Sequence, residues 1–310
     1  MDEAKAEGNP ALIVDGGDML FDRISYAPVE VEKAKGRAEL IASLQKKIGV
    51  QAANVGDHDL ALGLKYLEKL ANRDFPLVSA NLRDARNRPS KIPAYRIVEV
   101  GSLKIGVFGL LQSRVLSNPA NQPERDFKVL DPIEVARAMA VVLHKKGVDL
   151  IVVLSNLGST YNIKLANDVP GINFIIGSMD ERLLNSPERV GDTLIFQTLN
   201  RGMYLGIAKV TMIPGDTHFM DVGERQTLKN RIEALNAQTR IFSGKVAELP
   251  EVRNILSDVT KNINEEKEKA KVLLKPSSRL ENKILTLSPD VKSREDINAK
   301  ILEFKTNNKL

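Results

Sequence analysis

The chain reads as an α/β protein, a layered domain of alternating strands and helices followed by a helical arm. Three observations predict this. Up to about Gly223, short apolar runs alternate with segments of helical periodicity. The connections between them are short, as layered α/β packing requires. Beyond Gly223 the apolar residues change to a 4-3-4-3 spacing, the mark of a helix seam.

In chain order, strands are predicted at 11–14, 51–55, 77–80, 95–100, 104–110, 150–154, 174–176, 194–197 and 206–212. Each is a short run rich in Val, Ile and Leu. Helices are predicted over 29–48, 63–72, 132–146 and 162–167. Pro28 and Pro132 suit first-turn positions, and Gly49 and Gly147 suit the residue after the last turn. In the arm, Leu228, Ile232, Leu235, Thr239, Phe242, Val246 and Leu249 keep the seam as far as Pro250. Val252, Leu256, Val259 and Ile263 resume it before the charged run Glu265 to Lys271. Such a seam pairs helices within one molecule or between two copies, or lays the arm back on the α/β domain. Pro276-Ser277-Ser278 ends the helix, and Arg294 to Phe304 forms a last short one with Ser293 as its cap. The expected domains are 1–223 and 224–310.

The bulk numbers exclude several classes of protein. With 310 residues and 43% apolar content the chain can bury a substantial core. No apolar run approaches the roughly 18 residues of a membrane span. There is no cysteine, which removes disulfides, thiolate metal sites and a cysteine nucleophile. The net charge of +5 lies wholly after residue 223, where 18 Lys and Arg face 13 Asp and Glu. The signs are interspersed there and no aromatic residues interleave with a basic patch, so no nucleic-acid partner is expected. Residues 1–7 are polar and carry no signal-peptide core.

Chemistry concentrates in two loops, Asp15-Gly16-Gly17-Asp18 and Gly56-Asp57-His58-Asp59, each following an apolar strand. Carboxylates at strand ends are suited to hard divalent metals, and a neighbouring His to proton transfer. For these residues a plainer role is also open. Asp18 could cap its turn, Asp57 to Asp59 could be a loop held by its own hydrogen bonds, and Asn156 could satisfy backbone groups. The Asp180-Glu181-Arg182 triplet could be a solvated loop.

The ordered set of segments resembles the 5′-nucleotidase family of calcineurin-like metallophosphoesterases. Leu12 to Asp18 resembles its "LLLDAGD" strand-loop, and Val55 to Asp59 its "GNHE/D" loop. Phe75 to Leu82 is similar to "FP-L-AAN", with Lys104 to Leu110 after it, and Val152 to Gly158 to "I-L-SH-G". Phe174 to Gly177 resembles the strand entering "GGHSH", and Asn200 to Gly206 the closing "GKYLG". The likeness spans about residues 10–213. It implies a four-layered sandwich of two mixed sheets between helices, with a two-metal site at the strand ends. It further implies a phosphoester small molecule as substrate, a divalent Mn, Mg or Zn cofactor, and a periplasmic or other extracytoplasmic location.

Mapped onto this chain, the resemblance makes Asp18 the bridging metal ligand, Asp57 a metal ligand in place of Asn, and His58 the catalytic acid. Asn156 stands where a metal-binding His belongs, and Met179 where the next one belongs, with Asp180 or Glu181 as substitutes. Ala61 replaces the Asp that orients the catalytic His. The family's Asp-x-His motif is expected upstream of Ala11, and its C-terminal nucleotide-binding domain is replaced by the arm. Two functions therefore stand side by side. One is a phosphoester hydrolase with a reduced metal site. The other is an inactive member that binds or assembles, with itself or a protein partner, through 224–310.

Overall fold

The computed structural model describes residues 8–112, 126–199, 202–246, 253–273, 278–288, 291 and 293–307. It falls into two compact units, residues 1–206 with 284–310, and residues 207–283. The boundary expected at 223 lies inside the second unit, and the last segment of the chain belongs with the first.

The first unit is a four-layered α/β sandwich. Its central sheet has six strands: β5 (Tyr95–Val100), β6 (Leu103–Leu111), β8 (Leu150–Asn156), β9 (Phe174–Gly177), β10 (Glu188–Val190) and β11 (Thr193–Gln197). They lie side by side in the order β10-β11-β9-β8-β6-β5. The four inner strands are parallel and the two edge strands antiparallel. All seven residues of β8 are buried, which is why its sequence reads as an unbroken apolar run rather than an alternating one. A second, three-stranded parallel sheet joins β1 (Val14–Asp15), β2 (Ala52–Asn54) and β3 (Leu77–Val78). Two short strands, β4 (Leu82–Asp84) and β7 (Phe127–Val129), form an antiparallel pair.

Helices cover the outer faces. α1 (Val31–Ile48) buries Ala34, Ala38 and Ala42, a stripe of small residues every fourth position that brings its backbone close to the three-stranded sheet. Gly49 ends it in the left-handed conformation, φ 86°, its N–H returning to the last turn. α2 (Leu64–Ala71) adds Leu64, Leu67 and Leu70 to the same core. On the other side α3 (Pro132–Lys145) and α4 (Ser159–Asp168) cover the six-stranded sheet, with Ile133, Ala136, Leu143 and Leu165 packed on Ile151, Val153 and Ile175. Asp131 caps α3, accepting from the N–H groups of Ile133 and Glu134 at 2.9 and 3.0 Å.

Buried asparagines rivet the layers. Asn54 Nδ2 on β2 donates to Gly16 O at 3.1 Å and to Leu110 O on β6 at 3.0 Å. Asn81 Nδ2 donates to Leu111 O and Leu130 O, and its Oδ1 accepts from Leu111 N. The last helix, α7 (Glu295–Asn307), lies against α1: the Phe304 ring covers Gly36, and Lys47 pairs with Asp296 at 2.7 Å.

In the second unit β13 (Phe219–Asp221) pairs in parallel with β14 (Ser278–Thr286), with Phe219, Met220 and Leu280 buried. β12 (Tyr204–Thr211) borders β14 on its other side. α5 (Val222–Val246) packs on α6 (Arg253–Leu273), so the apolar seam pairs helices within the chain. Leu235 and Ile263 are its buried positions among the described side chains, and Arg231–Glu266 is an ion pair on its flank at 3.1 Å. Leu249, Pro250, Val252, Pro276 and Ser277 lie outside the described residues. Among the described residues no helix is long and apolar enough to cross a membrane.

Candidate functional site

The loops after β1, β2, β8 and β9 meet at the carboxyl ends of their strands, and hydrogen bonds join them. Asp18 sits at φ 61°, a left-handed conformation that aspartate tolerates better than most side chains. The turn places its carboxylate across the loop after β2. Oδ1 accepts from His58 N at 2.9 Å, and Oδ2 accepts from the Asn156 amide at 2.6 Å. Gly56 makes this approach possible, since a Cβ there would overlap the Asp18 carboxylate.

Asn156, at the end of β8, is fully buried and joins three loops. Its Nδ2 donates to Asp18 and to Ser178 Oγ (3.2 Å), and its Oδ1 accepts from Asp57 N at 3.3 Å. Ser178, just after β9, passes the chain on by donating to Gly16 O at 2.8 Å. Asp57 is buried and accepts from His58 N at 3.0 Å.

Asp59 takes the plainer of the two roles the sequence left open for 57–59, and its partners reach beyond its own loop. Its side chain is completely buried and accepts three backbone N–H groups, from Asp18, Leu20 and Gly56, each at 2.9 Å. It therefore fixes the loop after β1 to the loop after β2. The signal was present in Gly56-Asp57-His58-Asp59, but spacing alone cannot separate a carboxylate that binds backbone from one that faces a ligand.

The electrostatics follow from crowding. Burial, then the charges of Asp59 and Asp57, push the Asp18 carboxyl up to about 8, against the opposing hydrogen bonds from His58 and Asn156. Burial also raises Asp59, but its three backbone donors and the nearby His58 favour the ionised form. We place the shared negative charge on Asp59 and a proton on Asp18 near neutral pH. Burial likewise lifts Asp15 to about 6, although Gly17 N donates to it at 2.9 Å.

The residues expected to bind metal are thus divided. Asp18, Asp57, His58 and Asn156 come together. Asp180 is held elsewhere: its carboxylate accepts from Ser159 N and Oγ at the first turn of α4, and its carbonyl from Gln197 Nε2. That bonding fits a helix-capping role, since the first N–H groups of α4 have no partner within the helix. Glu181 is exposed in the following bend. Among the described residues no group of three or more His, Asp or Glu side chains is disposed to hold a metal ion. The donor set agrees, because Asn156 directs N–H, not oxygen, at Asp18, and both Asp18 oxygens already accept hydrogen bonds. As bonded here, these residues do not fit the divalent-metal site that the resemblance implies.

Among known proteins, a snake venom 5′-nucleotidase from Gloydius brevicauda is 30% identical over 183 residues, 56% of this chain and 29% of that protein. A trifunctional nucleotide phosphoesterase, YfkN of Bacillus subtilis, is 25% identical over 300 residues, 84% of this chain and 19% of its own length. In sequence the chain is similar to 5′-nucleotidases at 25–30% identity. It spans less than a third of each of these two relatives. The 5′-nucleotidase precursor of Thermus thermophilus has the same fold, with a TM-score of 0.66 at 19% identity over 99% of this chain and 52% of that one. No family model matches the sequence. Within this phosphoesterase fold the strand-end loops lie where the sequence placed them, and what differs is their bonding.

Proposed function

We propose that this chain is a non-hydrolysing member of the 5′-nucleotidase-like phosphoesterases, in which a hydrogen-bonded hub closes the loops that a metal pair would otherwise bridge. One observation carries this reading: the Asn156 amide donates to Asp18 Oδ2 at 2.6 Å. An amide N–H opposite a carboxylate occupies the direction along which a cation would be bound. The domain then serves as a binding scaffold; an assembly role for 224–310 would have to use faces other than the seam that α5 and α6 close on each other.

Phosphoester hydrolysis is the competing reading, favoured by Asp57 and His58 remaining together in the loop after β2. Turnover of 4-nitrophenyl phosphate and of AMP with added Mn²⁺, in the wild type and in His58→Ala, decides between them. The scaffold reading expects the two proteins to match the buffer rate. A wild-type rate well above buffer that His58→Ala abolishes overturns it.

A further inference from the structure

The two main sheets of the first unit pack face to face but differ in width, six strands against three. Asn54 on β2 ties the smaller sheet to β6 through Leu110 O, and Ser178 at the end of β9 reaches Gly16 just past β1. Beyond β1 the smaller sheet has no further strand among the described residues. Its β2 and β3 strands are sealed, with Ala52, Ala53, Leu77 and Val78 fully buried. At β1, Leu12, Ile13 and Val14 are only half-buried.

The floor beyond this edge is apolar. Ile176 on β9 and Phe196 on β11 are partners in register. Their sequence neighbours Ile175 and Ile195 lie in the core under α3 and α4, so Ile176 and Phe196 point to the opposite face, the one that meets the smaller sheet. Both are half-buried, whereas Leu154, the partner of Ile176 on β8, is fully buried. The interface between the two sheets thus continues past β1 onto apolar surface that is left half-covered.

The edge itself is open to pairing. Ile13 turns toward β2, its N–H on Gln51 Oε1 at 3.1 Å and its C=O accepting from Gln51 N at 2.9 Å. Alternation along the strand then directs the N–H and C=O of Val14 away from β2, to the open side. Parallel sheets are ordinarily covered, and free edges are ordinarily guarded by Lys, Pro or a bulge. Leu12-Ile13-Val14 holds neither Lys nor Pro.

We propose that this slot takes an extended segment of a partner protein as a fourth strand, its backbone paired with Val14 and its alternate apolar side chains laid on Ile176 and Phe196. A strand supplies both things the slot lacks, a donor and acceptor for the edge and apolar side chains for the floor. Because β11 and β10 continue the larger sheet beyond β9, two copies cannot join their β1 edges without these strands running into the other copy, so the occupant is a free segment. This goes beyond the reading of the Asp18 hub and stands whether or not the domain hydrolyses a phosphoester.

The test is an NMR titration of the full-length protein with acetyl-Lys-Val-Thr-Val-Glu-Val-Lys-amide, and with the same peptide N-methylated through its centre so that it cannot pair. The first should give saturable shifts in the amides of Val14, Ile176 and Phe196, and the second should bind about ten- to a hundredfold more weakly. Val14→Pro removes the open-side N–H while Ile13 and Asp15 keep the ladder to β2, and should weaken the first peptide by a similar factor. If that variant does not fold, Phe196→Ser on the floor supplies the same comparison. No saturable shift with the first peptide up to about a millimolar, or equal binding of the two peptides, overturns the proposal. Shifts at Val14 that appear on concentrating the protein alone would place a second copy on this edge and overturn it as well.

Discussion

Replacing Asp18 by Asn removes its ability to ionise while keeping its shape, and Asn tolerates the left-handed backbone at this position. Between about pH 4 and 8 folded Asp18 holds a proton that the unfolded chain has lost, so its contribution to stability falls as pH rises through that window. A shift from 3.8 to about 8 sets a ceiling of about 6 kcal/mol on that loss. Asp18 is only half-buried and shares its titration with Asp59, so we expect about 1–2 kcal/mol to be realised. The substitution has its own cost, because the new amide opposes either the Asn156 amide or the His58 N–H, about 1 kcal/mol. Asp18→Asn should therefore melt below the wild type at pH 5 and above it at pH 9, with a swing of about 3–6 °C. Thermal melts of metal-free protein across pH 5–9 measure this. A deficit that grows toward pH 9 would refute the reasoning, since it would mean that ionised Asp18 is stabilising.

Further substitutions probe the surroundings. Asp59→Asn leaves at least one of three buried N–H groups facing an amide N–H, and should cost about 2–4 kcal/mol in urea unfolding. A loss under about 1 kcal/mol would show that the loops hold without it. Asn156→Asp exchanges the amide donor facing Asp18 for a further buried carboxylate in a cluster whose charge already sits on Asp59, so it should lower the melting temperature in EDTA and recover part of the loss on adding Mn²⁺. No recovery would mean that a single ligand change cannot open a metal site. Phe304→Ala strips the α7 ring from Gly36 and should destabilise the first unit by about 1–2 kcal/mol, seen as earlier exchange of the α1 amides.

Much of the fold was legible because burial writes itself into sequence. The fully buried β8 shows as an apolar run from Leu150 to Leu154, and α3 announces itself through Pro132 and Gly147. What stayed hidden depends on distant partners. β4 and β7 are three residues each and exist because Leu82 pairs with Val129 across the fold. β14 is a strand because Ser278 to Leu280 lie beside Phe219 to Asp221, and a proline-serine break gives no hint of that. The same limit applied at the site. Motif spacing located Asp18, Asp57, His58 and Asn156, but the bonding of Asp59 to three backbone groups and of Asp180 to Ser159 is a property of folded geometry. The seam from Leu228 to Ile263 was visible as a pattern, while its closure within one chain needed the structure.

The central claim is that hydrogen bonds, not metal ions, close the strand-end loops. The most direct test is elemental analysis of the purified protein after dialysis against Mn²⁺ and Zn²⁺. The account predicts no stoichiometric metal, with identical content in wild type and Asp18→Ala. Bound metal near one ion per chain or more, lost in Asp18→Ala, would contradict it.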